Sequence, residues 1–337
     1  MKKINVNTKQ RNYTICLGRG ILSGVAEILG SGIYIITDSG VPSLWVDLLK
    51  EQLSAICEPF IYIFPQGEAN KNMETYGEIL AWLADNRATR KSIIIALGGG
   101  VTGDMAGFAA ATYMRGIEYI NIPTTALSQI DSSVGGKTAI DHNRIKNLVG
   151  AFHQPSLVII DPETLSTLDK REISNGLAEA VKAGLIGDGA LFEIFEHDDY
   201  MDHIEEIIER SLEVKRRVVE ADENESSLRK ILNFGHTLGH AYESYYGGRY
   251  LHGECVAMGM MKMTENEEIK TRLGKVLQRL GLPTGPADED LDKDAILSLV
   301  LNDKKAGASG VDIIRVREMG RALIEHADRD EIRRIIG

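Results

Sequence analysis

The sequence predicts an α/β N-terminal domain with a Rossmann-like parallel sheet over residues 1–162, and an all-α C-terminal domain over residues 163–337. A chain of 337 residues corresponds to two domains of roughly 150 residues each, and its 43% apolar content can supply a core to both. Short β-branched runs alternate with helical stretches in the first part. Prolines punctuate that part as far as Pro162 and are then absent from 163 to 282, which places the boundary near Pro162.

The predicted strands of the first domain are short, continuous apolar runs that are rich in β-branched residues. Such runs are typical of strands buried on both faces, as in a parallel sheet. They lie at residues 33–37, 60–64, 92–97, 119–122 and 157–160, and helices are predicted at 73–86 and 104–114.

The second domain is predicted to be a series of amphipathic helices. Apolar residues recur at a spacing near 3.6 over residues 199–220, 227–245 and 254–273. The last segment, 328–337, has the pattern of a short amphipathic helix as well. These faces are expected to pack together into one helical core.

Composition excludes several classes of partner. The chain carries 38 Lys and Arg against 49 Asp and Glu, a formal charge of −11, which disfavours binding to nucleic acid or to an anionic membrane. An anionic ligand therefore requires a local basic pocket. The three cysteines, at 16, 57 and 255, are odd in number and far apart, as in a protein of a reducing compartment. Because no apolar run is long enough for a membrane span or a signal peptide, we expect a cytoplasmic protein.

A glycine-rich loop follows the strand predicted at 92–97. Gly98, Gly100 and Gly103 satisfy the pattern G-x-G-x-x-G, in which glycines allow close approach to a pyrophosphate and the following helix start favours phosphate. The pattern alone is weak evidence, and an ordinary tight turn between strand and helix is the alternative interpretation. At least two predicted strands precede this loop, so the ribose-binding acid is not expected at Glu118. A better candidate pair is Glu68 and Lys71, which follow the strand at 60–64.

Four side chains of the second domain form a candidate metal site: Glu179, His236, His240 and His252. His236 and His240 are one helical turn apart, a spacing that is common in helical zinc sites. Thr237 stands where a zincin protease requires Glu, which excludes that class. The alternative interpretation is a set of satisfied polar groups in the core.

Several cations lie at unexpected positions. Lys215 falls on the apolar stripe of its helix, and Lys182 is one turn from Glu179, so an anion opposite each would offset the cost of burial. Arg229 precedes the candidate histidine ligands. A loop rich in glycine and small residues carries further polar side chains suited to a ligand: Asp131, Lys137, Lys146 and Asn147.

At these residues the sequence closely resembles the 3-dehydroquinate synthase family, within the wider sugar-phosphate cyclases. The matching segments, in family order and spacing, are GEANK, ALGGGVTGDMAGFAAATYMRG, IPTTALSQIDSSVGGKTAID, KNLVGAFHQP, GLAEAVKAGLI, LRKILNFGHTLGHAYE and LHGECVAMGM, with a weaker DKK at 303–305. The resemblance implies an enzyme that converts 3-deoxy-D-arabino-heptulosonate 7-phosphate to 3-dehydroquinate and phosphate. It also implies transient oxidation by NAD⁺, phosphate elimination, reduction and an intramolecular aldol closure.

The resemblance implies two cofactors and their ligands. Zn²⁺, or Co²⁺, would be bound by Glu179, His236 and His252, which leaves His240 to face the substrate phosphate. NAD⁺ would lie over the glycine loop, with Asp38, Glu68 and Lys71 near the adenosine ribose and Asp104 near the nicotinamide half. The remaining implied nucleotide contacts are Gly99, Gly100, Val101, Thr124, Thr125, Asp131, Lys137 and Lys146.

The implied substrate pocket combines residues of both domains. It comprises Asp131, Lys137, Lys146, Asn147, Lys182, Lys215, Arg229, Asn233, His240, either Lys304 or Lys305, and Arg115 from the partner subunit of a homodimer. A carboxylate held by Arg229 and Lys215 favours dehydroquinate formation over cyclases that act on glucose 6-phosphate or sedoheptulose 7-phosphate. Another sugar-phosphate cyclase or a metal-dependent polyol dehydrogenase is the alternative.

Three positions depart from the residues that are frequent in the family. Gly40 stands where Asn is common, Asp141 where Asn is frequent, and Ala183 where Tyr is frequent. None of them is an implied metal ligand or anion-binding residue.

Overall fold

A computed structural model of the protein describes residues 1–27, 32–143, 145–287, 291–302 and 310–337. The chain divides into two compact units, Met1–Asp169 and Lys170–Gly337, which are described separately below. The division falls a few residues after the predicted boundary at Pro162.

The first unit contains a twisted, mostly parallel sheet. The strands of this unit are β1 (Lys2–Asn7), β2 (Asn12–Leu17), β3 (Ile33–Asp38), β4 (Phe60–Phe64), β5 (Ile93–Gly98), β6 (Glu118–Pro123), β7 (Lys137–His142), β8 (Ile145–Phe152) and β9 (Leu157–Ile160). Seven of them form the sheet in the order β1-β2-β9-β6-β5-β3-β4, in which β1 and β2 pair antiparallel and the other described pairs are parallel. The parallel sheet predicted from the apolar runs is confirmed.

Helices cover both faces of this sheet: α1 (Ser43–Ser54), α2 (Met73–Asp85) and α3 (Gly100–Thr112). Successive residues of a strand point to opposite faces. Ile36 therefore packs in the core with Met105 of α3, whereas its neighbour Ile35 packs with Leu49 of α1 on the other face. Burial on both faces explains why the predicted strands are continuously apolar.

Two features of the first unit differ from the prediction. The strand β4 lies at the edge of the sheet, because β3 is its only neighbour among the described strands, and Phe60 and Ile63 are 43% and 57% exposed. It is therefore not buried on both faces. The segment predicted as a ligand-lining loop is instead largely an antiparallel hairpin of β7 and β8.

The second unit is mainly helical, as predicted. Its helices are α4 (Lys170–Gly187), α5 (Gly189–Ile194), α6 (Ile204–Ala221), α7 (His236–Tyr246), α8 (His252–Met263), α9 (Glu267–Arg279), α10 (Lys293–Asn302) and α11 (Arg329–Ile336). The prediction of an all-α domain needs one correction, because β10 (Val311–Glu318) and β11 (Arg321–Ala327) form an antiparallel hairpin. The strand β10 was not predicted from the sequence, because the buried Arg315 interrupts its pattern of apolar residues.

Long predicted helices are interrupted at defined residues. Gly235 has a φ of +78°, a left-handed conformation that separates a 3₁₀ turn (Leu228–Asn233) from α7. Asn266 starts α9 by accepting hydrogen bonds from the backbone N–H groups of Glu268 and Ile269, which divides the segment predicted at 254–273. The last predicted helix is present as α11. None of the described helices has the length and apolar content needed to cross a membrane.

Candidate active site

Three helices of the second unit bring the predicted metal ligands together. Glu179 lies in the middle of α4, His236 begins α7 and His252 begins α8. The Nε2 atoms of His236 and His252 lie 3.4 and 3.5 Å from the same oxygen, Oε1 of Glu179. The carboxylate is buried and the two imidazoles are half-buried. The predicted constellation is therefore a single cluster in the structure.

The spacing of these ligand atoms fits a divalent metal. Ligand atoms about 2.0–2.1 Å from a tetrahedral zinc lie about 3.3 Å from one another. The observed separations of 3.4 and 3.5 Å match that value. Three protein ligands leave the fourth position of a tetrahedral ion available to a substrate oxygen.

Glycines allow the three helices to approach closely. A Cβ at Gly253 would overlap the carbonyl of Asn175 in α4, and a Cβ at Gly259 would overlap the carbonyl of Gly235 before α7. The Gly253 N–H also donates to Asn175 Oδ1 at 2.6 Å. These contacts fix the start of α8, and with it His252, against α4.

The start of α8 is further held by Glu254. Its carboxylate accepts from the backbone N–H of Leu251 at 2.8 Å and pairs with Arg171 at 2.7 Å. Both contacts lower the pKa of the Glu254 carboxyl, although burial acts in the opposite direction. The residues that follow His252, Gly253 and Glu254, therefore both fix the position of the start of α8.

The second ring nitrogen of each histidine ligand faces an acceptor. His236 Nδ1 lies 3.1 Å from the carbonyl oxygen of Phe234, and His252 Nδ1 lies 3.4 Å from Glu243 Oε2. An imidazole that donates from Nδ1 presents the Nε2 lone pair to a metal. Glu243 was missed from the sequence, although it lies seven residues after His236 and three after His240, on the same face of one helix.

Lys182 supplies a buried positive charge beside this cluster. Its ammonium forms an ion pair with Glu179 and donates to the carbonyl of Leu232 at 2.8 Å. Burial would raise the pKa of the Glu179 carboxyl, but Lys182 and the two histidines hold it well below its ordinary value. Burial lowers the pKa of His236, which favours the neutral imidazole that a metal requires.

His240 lies beside the cluster of candidate metal ligands. Its ring centroid is 5.2 Å from that of His236 and 5.9 Å from that of His252. It forms a second group of potential ligands with Glu243 and His252, distinct from the group of Glu179, His236 and His252. His252 therefore belongs to both groups of potential ligands.

The other predicted cations of the second unit are buried. Lys215 lies inside α6, as its spacing predicts, and Arg229 lies on the 3₁₀ turn before α7, where its Nη1 donates to the carbonyl of Glu223 at 2.5 Å. Asn233, at the end of this turn, donates to Glu225 Oε1 at 3.0 Å. The predicted phosphate contacts Lys304 and Lys305 lie outside the described residues.

The glycine loop of the first unit has the geometry of a phosphate cradle. Gly98 ends β5, and α3 begins at Gly100. A Cβ at Gly99 would lie 3.1 Å from Thr125, and a Cβ at Gly100 would lie 3.3 Å from Ser132. The free N–H groups at the start of α3 are suited to phosphate. The neighbouring Val101, Thr124 and Thr125 are buried or half-buried.

Asp38 joins this loop from the end of β3. Its carboxylate accepts from the Thr102 hydroxyl at 2.5 Å and from the Gly40 N–H at 2.9 Å. The absence of a side chain at Gly40 leaves room for Gln66, whose amide oxygen would be displaced by a Cβ there. The loop and the end of β3 thus form one continuous polar edge of the sheet.

Lys71 lies at the centre of a buried polar network. Its Nζ pairs with Asp104 Oδ2 at 2.5 Å and donates to Asn147 Oδ1 at 2.5 Å, and Glu68 is 4.0 Å away. Burial lowers the pKa of Lys71, but Asp104 and Glu68 outweigh it and raise the pKa above its ordinary value. Lys71 and Asp104, which the resemblance assigns to opposite halves of the nucleotide, are therefore in contact.

The hairpin of β7 and β8 presents the remaining polar residues of the first unit. Asp141 donates its backbone N–H to the Lys71 carbonyl at 2.8 Å, and its carboxylate accepts from the Asn147 N–H at 2.7 Å. Asn147 has a φ of +51°. The other predicted positions of this unit are exposed or half-buried. Lys137 begins β7, and the Lys146 ammonium lies 4.0 Å from Glu68. Asp131 lies in the π-helical turn Ser128–Ser132, and Arg115 ends a 3₁₀ turn with a φ of +71°.

Comparison with known proteins identifies the family. Family models for the N-terminal and C-terminal parts of 3-dehydroquinate synthase match residues 61–175 and 176–306. The 3-dehydroquinate synthase of Thermoanaerobacter pseudethanolicus is 42% identical, with 100% of both chains covered. The chain belongs to the 3-dehydroquinate synthase family.

Solved structures of related cyclases share the fold. A 2-deoxy-scyllo-inosose synthase complexed with carbaglucose-6-phosphate, NAD⁺ and Co²⁺ has a TM-score of 0.91 at 26% identity, with 99% of each chain covered. A 2-epi-5-epi-valiolone synthase from Streptomyces hygroscopicus subsp. jinggangensis with NAD⁺ and Zn²⁺ bound has a TM-score of 0.88 at 27% identity, covering 98% of this chain and 97% of that chain. The 3-dehydroquinate synthase resemblance and the fold class predicted from the sequence are confirmed.

Proposed function

We propose that this protein converts 3-deoxy-D-arabino-heptulosonate 7-phosphate to 3-dehydroquinate and inorganic phosphate, with NAD⁺ and a divalent metal as cofactors. The observation that carries the proposal is the metal-ligand cluster of Glu179, His236 and His252 with its spacing of 3.4 and 3.5 Å, in a chain of this family. The reaction forms a carbocycle without net oxidation or reduction. It is a step of the shikimate pathway toward chorismate and the aromatic amino acids.

The cofactors supply the redox chemistry and part of the acid–base chemistry. When bound, NAD⁺ accepts a hydride and returns it, and the divalent metal lowers the pKa of the hydroxyl that it binds. Glu179, His236 and His252 hold the metal, and Lys182 keeps Glu179 ionised. The glycine loop at Gly99 and Gly100 holds the nucleotide phosphates.

The substrate's two anionic groups require separate cations. In the second unit Arg229 and Lys215 bind the carboxylate, since a guanidinium suits bidentate contact. In the same unit His240 binds the substrate phosphate. Holding the phosphate in place lets one of its own oxygens take the proton that is lost on elimination. Confinement of the ring-opened product then favours the intramolecular aldol closure.

Substrate selection tests this proposal against other cyclases of the same fold. The protein with NAD⁺ and Zn²⁺ is given the heptulosonate phosphate, glucose 6-phosphate or sedoheptulose 7-phosphate, and phosphate release is measured. We expect release from the carboxylated sugar alone. Release from glucose 6-phosphate or sedoheptulose 7-phosphate at a similar rate would contradict the proposed substrate.

The role of Arg229 is tested by a matched pair of variants on the same 3₁₀ turn. Arg229→Ala is expected to lower kcat/KM for the heptulosonate phosphate by at least 100-fold, because a charged hydrogen bond to the carboxylate is lost. Lys230→Ala serves as the control, since Lys230 is half-buried and pairs with Asp312 at 2.7 Å. Near wild-type kinetics in Arg229→Ala would refute the assigned role.

We further propose zinc as the resident metal, a cytoplasmic location and a homodimer. The two-imidazole, one-carboxylate donor set supports zinc, and the three free cysteines support a reducing compartment. Arg115 supports the dimer, because its side chain is exposed at the end of a left-handed turn and is available to a partner subunit. Metal analysis of the purified protein and light scattering after gel filtration test zinc and the dimer.

A further inference from the structure

Glu243 lies beside the metal ligands without being one of the predicted set. It is on α7, and its Oε2 is 3.4 Å from Nδ1 of His252. The Nε2 of the same ring faces the opposite way, 3.5 Å from Glu179 Oε1. One imidazole thus bridges two carboxylates, one on α4 and one on α7.

We propose that Glu243 is a positioning residue that orients His252 for metal binding. It accepts the Nδ1–H of His252 and thereby fixes the tautomer whose Nε2 lone pair faces Glu179 and the metal. This inference rests on the proposed metal-dependent function. A carboxylate in this position also raises the basicity of the ligating nitrogen.

His252 depends on this contact more than His236 does. His236 Nδ1 is held by a backbone carbonyl, that of Phe234 at 3.1 Å, which no side-chain substitution removes. His252 is also the more exposed ligand, with 27% of its side chain accessible against 13% for His236. Loss of Glu243 therefore removes an orienting partner from the less enclosed of the two imidazoles.

The alternative role for Glu243 is that of a metal ligand. Its carboxylate, His240 and His252 lie close enough to bind an ion of their own. A neutral imidazole has one nitrogen lone pair, however, and the Nε2 of His252 already converges with that of His236 on Glu179. The geometry thus favours Nδ1 of His252 as a donor to Glu243, and metal stoichiometry separates the two roles.

Metal titration of the metal-free protein tests the proposal without any sugar phosphate. Co²⁺ is added while visible absorption is recorded, and Zn²⁺ affinity is measured by competition with a chromophoric chelator. Glu243→Ala is expected to weaken both affinities by 10- to 100-fold. Glu243→Gln retains an oxygen acceptor and is expected to recover most of the affinity. Ser244→Ala, an exposed position on the same helix, should match the wild type.

Thermal unfolding of the metal-free variants separates positioning from folding. All three variants should unfold within a few degrees of the wild type and bind one equivalent of metal. Unchanged affinity in Glu243→Ala would overturn the proposal, and so would two equivalents in the wild type with one lost in Glu243→Ala. If Glu243→Ala does not fold, Glu243→Gln becomes the deciding variant. A metal affinity of Glu243→Gln below one hundredth of the wild-type value would then overturn the proposal.

The outcome is independent of the substrate. If the wild type binds one metal and Glu243→Ala weakens it, the positioning role stands even if the heptulosonate phosphate is not turned over, and only the proposed function fails. If the wild type binds no metal, the positioning role is overturned.

Discussion

The ammonium of Lys71 lies 2.5 Å from Oδ1 of Asn147 and 2.5 Å from Oδ2 of Asp104. One buried cation therefore joins the turn after β4, the first helix after the glycine loop, and the hairpin of β7 and β8. The family resemblance implies that Lys71 and Asp104 contact the nucleotide and that Asn147 contacts the substrate. Lys71 therefore joins an implied nucleotide contact, Asp104, to an implied substrate contact, Asn147, within one unit.

Removal of the Lys71 charge should destabilise the fold. Lys71→Met leaves the Asp104 carboxylate without its partner, and we expect a loss of roughly 1–3 kcal/mol in the free energy of unfolding. The double variant Lys71→Met/Asp104→Asn should recover part of that loss, because it no longer buries an unpaired charge. Urea unfolding measures both.

Lys146→Met provides the matched control for stability. Lys146 is more than half exposed and its Nζ lies 4.0 Å from Glu68 Oε1, so its removal should change the free energy of unfolding by less than about 1 kcal/mol. An equal effect of Lys146→Met and Lys71→Met would contradict the assigned role of the buried network.

Asp141 should control how Lys71 and Asn147 are held. Asp141→Ala removes the acceptor for the Asn147 N–H, a position with a φ of +51°. We expect NAD⁺ affinity and kcat/KM for the heptulosonate phosphate each to fall five- to tenfold, equivalent to about 1 kcal/mol. Asp141→Asn keeps an oxygen acceptor and should behave like the wild type. If the Asn variant is impaired as much as the Ala variant, the hydrogen bond is not the cause.

Asp222 should make stability depend on pH in the acid range. Burial raises the pKa of its carboxyl, but hydrogen bonds from the backbone N–H groups of Arg229, Ser226 and Ser227 outweigh burial and hold the pKa well below the ordinary value of 3.8. Because the folded-state pKa is the lower one, this stabilisation is complete above about pH 4 and is lost as the pH falls further.

The comparison of Asp222→Ala with the wild type measures this effect. At pH 7 the variant should lose roughly 1–3 kcal/mol in the free energy of unfolding, and the difference should shrink progressively below pH 4. A difference that is the same at pH 7 and pH 3 would show that the carboxylate charge does not contribute.

Arg315 should stabilise the hairpin of β10 and β11 far more than its neighbour Arg317. Arg315 is only 8% exposed and faces three carboxylates, Glu265 at 2.6 Å, Glu331 at 2.6 Å and Glu325 at 3.1 Å. Arg315→Met removes the partner that these three carboxylates share, and because Glu265 and Glu325 keep Arg317 the loss should be about 1–3 kcal/mol.

Arg317→Met is the control, because Arg317 pairs with Glu265 and Glu325 but is half exposed. Its loss should change the free energy of unfolding far less than Arg315→Met does. Thermal or urea unfolding of the two variants side by side decides the prediction, and equal losses would contradict it.

The parallel sheet could be predicted from the sequence because its signals are local, and the grouping of Glu179, His236 and His252 followed from the family resemblance. Strands such as β3 and β5 are continuously apolar since both faces are buried, and His236 and His252 lie in recognisable motifs. The hairpin of β7 and β8 was missed because most residues of β8 are exposed, so its side chains show no clear apolar alternation, and because the glycines just before β7 are typical of a loop.

Other features depend on contacts that the sequence does not specify. The hairpin of β10 and β11 was hidden by Arg315, whose burial depends on Glu265 and Glu331 from separate elements. The role of His240 was ambiguous, since one-turn spacing from His236 is shared by ligands and their neighbours. Glu243 becomes significant only when α8 places His252 against it.

Simultaneous measurement of phosphate and NADH tests the proposed function most directly. The protein is incubated with NAD⁺, Zn²⁺ and 3-deoxy-D-arabino-heptulosonate 7-phosphate, with and without a chelator, while both products are followed. We expect continuous phosphate release without lasting NADH absorbance, and its abolition by the chelator. Stoichiometric accumulation of NADH without phosphate would indicate a metal-dependent polyol dehydrogenase. Phosphate release that is indifferent to the chelator would contradict the metal centre of Glu179, His236 and His252.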